Sequence, residues 1–412
     1  MKYNIKKIAS SLAPGFFMVG YVVGTGSVTT MIVAGARYSM SLSWALLLSC
    51  LFTAVLMIGI SRLTIVSGKT LVNNFRNHVH PAVGIFMIFA LMLTSVTSII
   101  GVTAVATSIF QEWSRPFTSG DSGISPVASS LIMLGILYGL FWFGKYNSFL
   151  KFMSVIVGIM AVCFVFAMIL VIPDFEQIAS GFIPQIPSTG EPFIVIAGMV
   201  GTTMAGNCLV SRSTVVKEKG WQITDLKIER RDSIFAMILT FIISASIIAV
   251  AAGTLHVRGI SVENAVEMIY TLEPLAGRFA ITVFTIGILC AAISSLFPNM
   301  IILPWLLNDY NFSETSLKTP LYRFLVLIIT SSGLIVPLFG GKPVIIMIAS
   351  QAVSPLIMPI LVGMLFYLLN NKKVTGGYKP GWFLNSAIVL TFIFSLFMSF
   401  VGFQGLFSVV NN

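Results

Sequence analysis

The sequence predicts an all-α membrane protein with about eleven membrane-spanning helices, and two observations lead to that prediction. Hydrophobic residues make up 57% of the 412-residue chain and charged residues only 9%, whereas a soluble domain carries about 25% charged residues. The apolar residues also fall into long stretches, many close to the roughly 20 residues that a helix needs to cross a bilayer. In water such a chain would expose a large apolar surface, so a lipid bilayer is its expected partner.

Eleven stretches have the length and hydropathy expected of a spanning helix, and mostly short loops separate them. They are residues 11–36, 41–66, 82–107, 128–145, 149–172, 193–216, 234–254, 276–308, 320–340, 343–369 and 382–404. The first stretch is interpreted as a retained helix because no small-residue cleavage site follows it. Residues 1–412 are expected to form a single transporter domain, with repeats at about 11–172 and 193–369 and an extra helix at about 382–404.

The distribution of Lys and Arg predicts the orientation, because cytoplasmic loops of membrane proteins are enriched in both. With the N-terminus in the cytoplasm and the C-terminus outside, all but five of the 24 basic residues lie on the inner side. The five exceptions are Arg37, Arg115, Arg258, Arg278 and Lys342. Topology therefore explains the net charge of +10, and no nucleic acid is expected as a partner. The expected location is a bacterial inner membrane.

The acidic residues and histidines are all assigned to loops, with Glu229 and Asp232 before the seventh span. Intramembrane carboxylates and imidazoles are the groups that usually move protons in transporters. The sequence therefore predicts transport without carboxylate-based proton coupling, either uncoupled or coupled to sodium. The four cysteines fall in apolar stretches and are interpreted as packing residues rather than as disulfide or metal ligands.

Two spans, the first and the sixth, carry clusters of Gly, Thr and Ser near their centres, and both clusters are interpreted as helix breaks. Glycine disfavours helix, and Thr and Ser compete for backbone hydrogen bonds. Broken helices in matching positions of two repeats are typical of a transporter substrate site, although small residues also pack between membrane helices. The predicted substrate-binding residues of the two clusters are Gly24, Thr25, Gly26, Ser27, Thr202, Thr203, Met204, Ala205, Gly206 and Asn207.

Short motifs extend this pattern along nearly the whole chain. They are APGF at 13–16, GTGS at 24–27, AGARY at 34–38, SGK at 67–69, IAGMVG at 196–201, CAAISS at 290–295, SQ at 350–351 and NNKK at 370–373. In order and spacing they resemble the Nramp transporters (natural resistance-associated macrophage proteins). The resemblance implies a LeuT-like fold, with ten core helices in two inverted repeats plus one extra helix, and a transporter rather than an enzyme.

The resemblance also implies a ligand set, and this chain departs from it. The metal-binding Asp and Asn of the family's first span correspond to Gly24 and Ser27, and the metal-ligating Met of its sixth span corresponds to Ala205. Only Gln351 of the polar ligands remains, as a further substrate-binding residue. The family's carboxylates in spans three and four have no counterpart. No metal site and no cofactor are therefore expected.

The expected substrate is a small inorganic anion. The outer half of the first span begins at Gly26 and the inner half of the sixth at Gly206, and helix starts attract anions. Without the family's Asp this positive potential is uncompensated. Bicarbonate is favoured because one proton lets it both donate and accept hydrogen bonds. The alternatives are a divalent metal ion (Mn²⁺ or Mg²⁺) as in the family, a small amino acid, and a receptor or scaffold without transport.

Two further sites are predicted with alternatives. Ser294 and Ser295 of the eighth span could form a sodium site with carbonyl groups of the first span, or they could bond only within and between helices. Arg212 could line the inner vestibule and attract anions, or it could be an ordinary cytoplasmic anchor.

Overall fold

The computed structural model describes residues 13–118, 122–144, 179–188, 191–263, 273–311 and 319–411, with residues 267–268 and short pieces between 155 and 169. Within these ranges the chain is helical and has no β-strand. The main helices are α1 Ala13–Val22, α2 Thr25–Tyr38, α3 Ser43–Ser67, α4 Leu71–His78, α5 Pro81–Ser114, α6 Pro126–Phe143, α7 Pro192–Thr203, α8 Gly206–Lys219, α9 Leu226–Thr254, α10 Glu273–Asn311, α11 Pro320–Ser331, α12 Ile335–Phe339, α13 Pro343–Ala352, α14 Ser354–Asn370 and α15 Trp382–Asn411.

Ten of the eleven predicted spans correspond to these helices, which confirms the all-α membrane fold. The described residues hold nine helical spans long and apolar enough to cross a membrane, and α1 and α2 together add a bent tenth. The predicted span at 149–172 lies largely outside the described residues. The division into repeats at 11–172 and 193–369 stays a prediction.

Three departures from the prediction affect a charged turn, a loop and a span. Helix α9 begins at Leu226, eight residues before the predicted start at 234, so a charged turn in the predicted loop is helical. Helix α4 occupies the predicted loop after the second span and buries Leu71, Val72 and Phe75. The tenth span is interrupted at Val353, where α14 starts with proline in its first turn, a position at which proline's missing N–H removes no helical hydrogen bond.

Burial divides the spans into a central and a peripheral set. In the most apolar window of the α7–α8 span 89% of residues are buried, against 28% in α6. Helix α7 packs on α13 and α15, α9 packs along α2 and α3, and α10 packs on α5. Large apolar side chains such as Phe86 and Phe89 are exposed on α5, as a lipid-facing surface requires. The broken spans therefore lie at the centre of the bundle.

Candidate functional site

A polar cavity with an empty volume of about 450 Å³, which counts space open to solvent, lies where the two broken spans meet. Both breaks contribute to its wall, together with α5, α10, α13 and α14. Its lining residues are Tyr21, Val22, Gly24, Gly26, Ser27, Thr94, Ser98, Thr202, Ala205, Asn207, Ser295, Asn299, Ser350, Gln351 and Ser354. None of the fifteen is Asp, Glu, Lys, Arg, His, Cys or Met, so the wall is polar but carries no formal charge.

The first span breaks between Val22 and Thr25 and bends by 52°. Gly24 caps α2 with extended backbone angles that any residue can adopt, and it makes no side-chain cap bond. The need for glycine is instead steric, since an added Cβ at position 24 would overlap the Cβ of Ser295 and lie 2.6 Å from its Oγ. An added Cβ at Gly26 would lie 2.9 Å from Nε2 of Gln351. Both glycines therefore let α10 and α13 approach the break.

The sixth span breaks at Met204 and Ala205, between α7 and α8. Ala205 caps α8 without a side-chain bond. The Thr202 hydroxyl lines the cavity but donates to the Met199 carbonyl at 2.9 Å, and the Met204 side chain is buried outside the lining. At this break the cavity therefore meets backbone, one hydroxyl and a methyl group rather than a thioether.

The predicted clusters divide into residues that line the cavity and residues that do not. Those in the wall are Gly24, Gly26, Ser27, Thr202, Ala205, Asn207 and Gln351. Those outside it are Thr25, Thr203, Met204 and Gly206. Among the lining residues Ser27 is distinctive, because its hydroxyl is buried and has no protein partner. The Thr25 hydroxyl is also unpartnered but lies outside the wall. The Ser27 hydroxyl is therefore free to bind a ligand.

Asn207 is held in a network of side chains that sequence reasoning missed. Its Oδ1 accepts from the Thr94 hydroxyl at 2.7 Å. Its Nδ2 donates to Ser95 Oγ at 2.8 Å and to Asn299 Oδ1 at 3.2 Å. Asn299 Oδ1 also accepts from the Tyr21 hydroxyl at 3.0 Å. Asn207 thus ties α8 to α5 and α10, and its amide has little bonding capacity left for a substrate.

The missed residues carry a weak signal in the sequence. Thr94 and Ser98 are four residues apart on α5, and Asn299 follows the predicted Ser295 by four residues on α10, so each pair lies on one helix face. Ser350 and Ser354 could not be placed in the cavity wall from the sequence, because the interruption at Val353 is not evident there. Gln351 Nε2 lies 3.5 Å from both Ser98 Oγ and Ser350 Oγ, at the limit of hydrogen bonding.

The two serines of the predicted sodium site face different surroundings. Ser295 lines the cavity. Ser294 is fully buried and donates to the Ala291 carbonyl at 3.0 Å. This is a hydrogen bond within one helix, as the alternative to a sodium site predicts. Of the pair, the cavity reaches Ser295 alone.

Arg212 is not in the cavity wall but in a buried ionic cluster between helices. Its guanidinium donates to Asp232 Oδ2 at 2.7 Å and to Glu229 Oε1 at 3.4 Å, and all three side chains are at most 1% exposed. Its charge is therefore compensated, contrary to the predicted vestibule role. The prediction that acidic residues stay in loops is also wrong for Glu229 and Asp232, because α9 starts eight residues earlier than predicted.

A central polar cavity between two interrupted helices of an all-α bundle is typical of a membrane transporter. A family model, "Natural resistance-associated macrophage protein-like", matches residues 15–403. The chain therefore belongs to the Nramp family.

Relatives are similar over most of the chain at low identity. A "Natural resistance-associated macrophage protein 2 homolog" of Dictyostelium discoideum is 25% identical over the whole chain, which spans 65% of that protein's length. A "Divalent metal cation transporter MntH" of Caldanaerobacter subterraneus subsp. tengcongensis is 25% identical over 90% of this chain and 87% of its own.

Solved structures show the fold. A manganese transporter of Eremococcus coleocola superposes with a TM-score of 0.78 at 15% identity, over 99% of this chain and 88% of that one. Mhp1, a nucleobase-cation-symport-1 family transporter, superposes with a TM-score of 0.61 at 14% identity, over 97% and 90%. These likenesses confirm the LeuT-like fold.

The contact at the first break predicts a size limit at position 24. We expect Gly24→Ala to lower stability by about 1–3 kcal/mol, the usual cost of overpacking, and to reduce transport. Adding Ser295→Gly removes the opposing Cβ and should recover part of both, less about 1 kcal/mol for glycine within a helix. The measurement is the thermal melting of the purified protein and flux in proteoliposomes.

Gly139→Ala is the matched control, because an added Cβ there meets nothing within 4 Å. It should not lower the melting temperature, and it should leave flux unchanged. Equal melting of Gly24→Ala and the parent protein would contradict the close approach of α10 to the break.

Proposed function

We propose that this protein is a Nramp-related secondary transporter that moves a small monovalent anion, with bicarbonate favoured, by alternating access and with no carboxylate in its substrate cavity. The observation that supports it is the uncharged wall of the cavity. The relatives named as divalent metal cation transporters make a Mn²⁺ or Mg²⁺ substrate the second candidate, and a small amino acid is the third.

The cavity is a poor site for a dehydrated divalent cation. Hard dications prefer carboxylate oxygens, and softer ones prefer imidazole or sulfur, yet the wall offers none of these groups. The described residues contain no cluster of three or more His, Cys, Asp or Glu that could hold a metal. Asp232 and Glu229, the buried acids nearest to the first span, are engaged by Arg212. A dication in the cavity would therefore lack a compensating charge.

Hydrogen-bond donors are better supplied. Helices α2 and α8 begin at the breaks with caps, Gly24 and Ala205, that make no side-chain bond. The first N–H groups of a helix have no partner within it, and they form a favourable site for an anion. The unpartnered hydroxyl of Ser27 adds a donor on the same side of the cavity. These groups can bind the oxygens of a small oxyanion.

The breaks also supply acceptors, which bears on the kind of anion. Helices α1 and α7 end where α2 and α8 begin, and the last carbonyl groups of a helix lack partners within it. The field at the breaks is therefore mixed in sign, and not purely positive as the sequence suggested. An ion with both acceptor oxygens and one O–H group matches this arrangement better than nitrate, which has no proton to donate. This supports bicarbonate.

A flux assay separates the three substrates. In proteoliposomes with equal CO₂ on both sides, an inward bicarbonate gradient should raise the internal pH, because bicarbonate that enters consumes protons as it converts to CO₂. A trapped pH dye reports the change, and protein-free liposomes are the control. Trapped calcein should show no quenching by external Mn²⁺, and labelled amino acids should not accumulate.

Quenching by Mn²⁺ without bicarbonate flux would reject the anion proposal in favour of divalent metal transport, the activity for which the relatives are named. Accumulation of an amino acid alone would favour the third candidate.

Charge at the site is best tested at position 27, because an acid at position 24 would collide with Ser295 and confuse size with charge. We expect Ser27→Asp to reduce bicarbonate flux at least about tenfold relative to Ser27→Asn. The two side chains match in size, and a like charge at about 4 Å is worth about 4 kcal/mol at an effective dielectric constant of about 20.

The comparison requires that both variants elute as the parent does in size-exclusion chromatography. Burial raises the pKa of an introduced carboxyl, by up to about 3–5 units for a fully buried group, so flux is compared up to about pH 9. Equal flux in the two variants at every pH would show that the anion does not pass Ser27.

A further inference from the structure

A buried ionic cluster joins four helices on the side that the basic residues assign to the cytoplasm. Arg212 on α8 bonds Asp232 and Glu229 of α9 and, through Nε, Ser61 Oγ of α3 at 2.9 Å. The fourth helix is α1, whose Gly15 N–H donates to Asp232 Oδ1 at 2.9 Å. The cluster is separate from the cavity, because none of these residues lines it.

The cluster contains one cation and two acids, so it has a surplus negative charge if both acids are ionised. All three side chains are at most 1% exposed, and a surplus charge at such a site is strongly disfavoured. Asp232 accepts two bonds shorter than 3.0 Å, from Arg212 and Gly15, which favours its charged form. Glu229 accepts the longer Arg212 contact of 3.4 Å and a hydroxyl bond from Ser233 at 2.7 Å. The balance therefore assigns a proton to Glu229.

The cluster also contacts α1, the helix that leads into the first break. Gly15 lies near the start of the described part of α1, and its N–H donates to Asp232 of α9. At its other end α1 contributes Tyr21 and Val22 to the cavity wall and continues into the 52° bend. Motion of α1 about the break would open this wall and would separate Gly15 from Asp232.

We propose that the Glu229–Asp232–Arg212 cluster is a proton-binding site that couples proton release at the inner side to movement of α1. In the closed state Glu229 is protonated and the cluster is neutral. When α1 leaves, water reaches the cluster and the O–H bond of the Glu229 carboxyl breaks. Its electron pair stays on the carboxylate, and the proton passes to water at the inner side.

The sequence predicts transport without carboxylate-based proton coupling. With this proposal, that prediction applies only to the substrate cavity. That expectation depended on placing Glu229 and Asp232 in a loop. The proposal holds for any substrate, because it concerns the opening of the inner side alone.

The surroundings contain few other groups that titrate. Around the cluster α1 contributes the Gly15 amide, α3 contributes Ser61, and the loop after α8 contributes the Trp221 ring, 5.5 Å from Arg212 Cζ. The neighbouring charged or titratable groups of the described chain are Lys219 near Asp232 and the buried Cys208 near Arg212 on α8, with Arg230 and Arg231 exposed on the far side of α9. Glu229 is therefore the group expected to change protonation as the cluster opens.

The test measures access to the cavity from the inner side in the absence of substrate. A cysteine is introduced by Ser98→Cys, since Ser98 lines the cavity, and is labelled from the inside with a membrane-impermeant thiol reagent. The same protein without the added cysteine gives the background from the native thiols. Thiol reagents attack the thiolate, so each rate is divided by that of an exposed reference cysteine on the same side, introduced by Lys372→Cys, at the same pH. Because the closed state holds one proton more, this normalised labelling rate should fall as the inner pH is lowered, by up to about tenfold per pH unit.

Glu229→Gln should remove this pH dependence and keep labelling low, as in the protonated state. Asp309→Asn is the matched control, because Asp309 is a buried acid on α10 that bonds Thr214 at 3.2 Å outside the cluster, and it should preserve the dependence. Ser233→Ala deletes a hydrogen-bond donor that favours the charged form of Glu229, so the midpoint of the pH dependence of labelling should move to higher pH. This variant tests the proposal if Glu229→Gln does not fold.

A parent protein whose labelling ignores pH would overturn the proposal. So would a Glu229→Gln variant that keeps the parent's pH dependence, or a midpoint that Ser233→Ala leaves in place. If labelling behaves as expected but the parent protein shows no bicarbonate flux, only the proposed substrate is rejected.

Discussion

The structure depends on one constraint, which is that a low-dielectric interior accepts charge only where it is balanced on the spot. The bundle satisfies this constraint in two different ways. At the broken spans it removes charge from the side chains altogether and leaves backbone ends and hydroxyl groups. At the inner end of α1 it buries one guanidinium against two carboxyls and links the group to α1 through Gly15. The two regions are joined by α1, which contacts the cluster at its start and the cavity at its end.

This separation explains how a family associated with cation transport can contain a member with an uncharged cavity. Positions 24 and 205 hold glycine and alanine, so neither contributes a charge or a thioether to the cavity. The close approach of Ser295 to Gly24 shows that α10 fills the space of a larger residue at position 24. An acidic side chain at position 24 would therefore require Ser295 to move.

The sequence predicted the fold well because spans are long, apolar and separated by basic loops, and each of these signals has a simple physical cause. It also located both breaks. It failed at the ends of helices, where a polar turn can be either loop or helix. The start of α9 is the clearest case, since Glu229 and Asp232 are charged and suit a loop until Arg212 from another helix is placed beside them. The Asn207 network was missed for the same reason, because it joins Thr94 and Asn299 across two helices that are far apart in sequence.

The mixed polarity of the breaks has a further consequence for selectivity. A site made only of helix starts would bind any small anion, with affinity set by charge. A site that places helix ends beside helix starts can reject an ion that offers acceptors alone, because carbonyl groups buried without a donor cost free energy. Selection would then come from the number and direction of hydrogen bonds, with the unpartnered Ser27 hydroxyl as a donor in the cavity wall at the first break. In such a cavity the proton carried by the substrate is itself a recognition element, which links the chemistry of the ion to the geometry of the two broken helices.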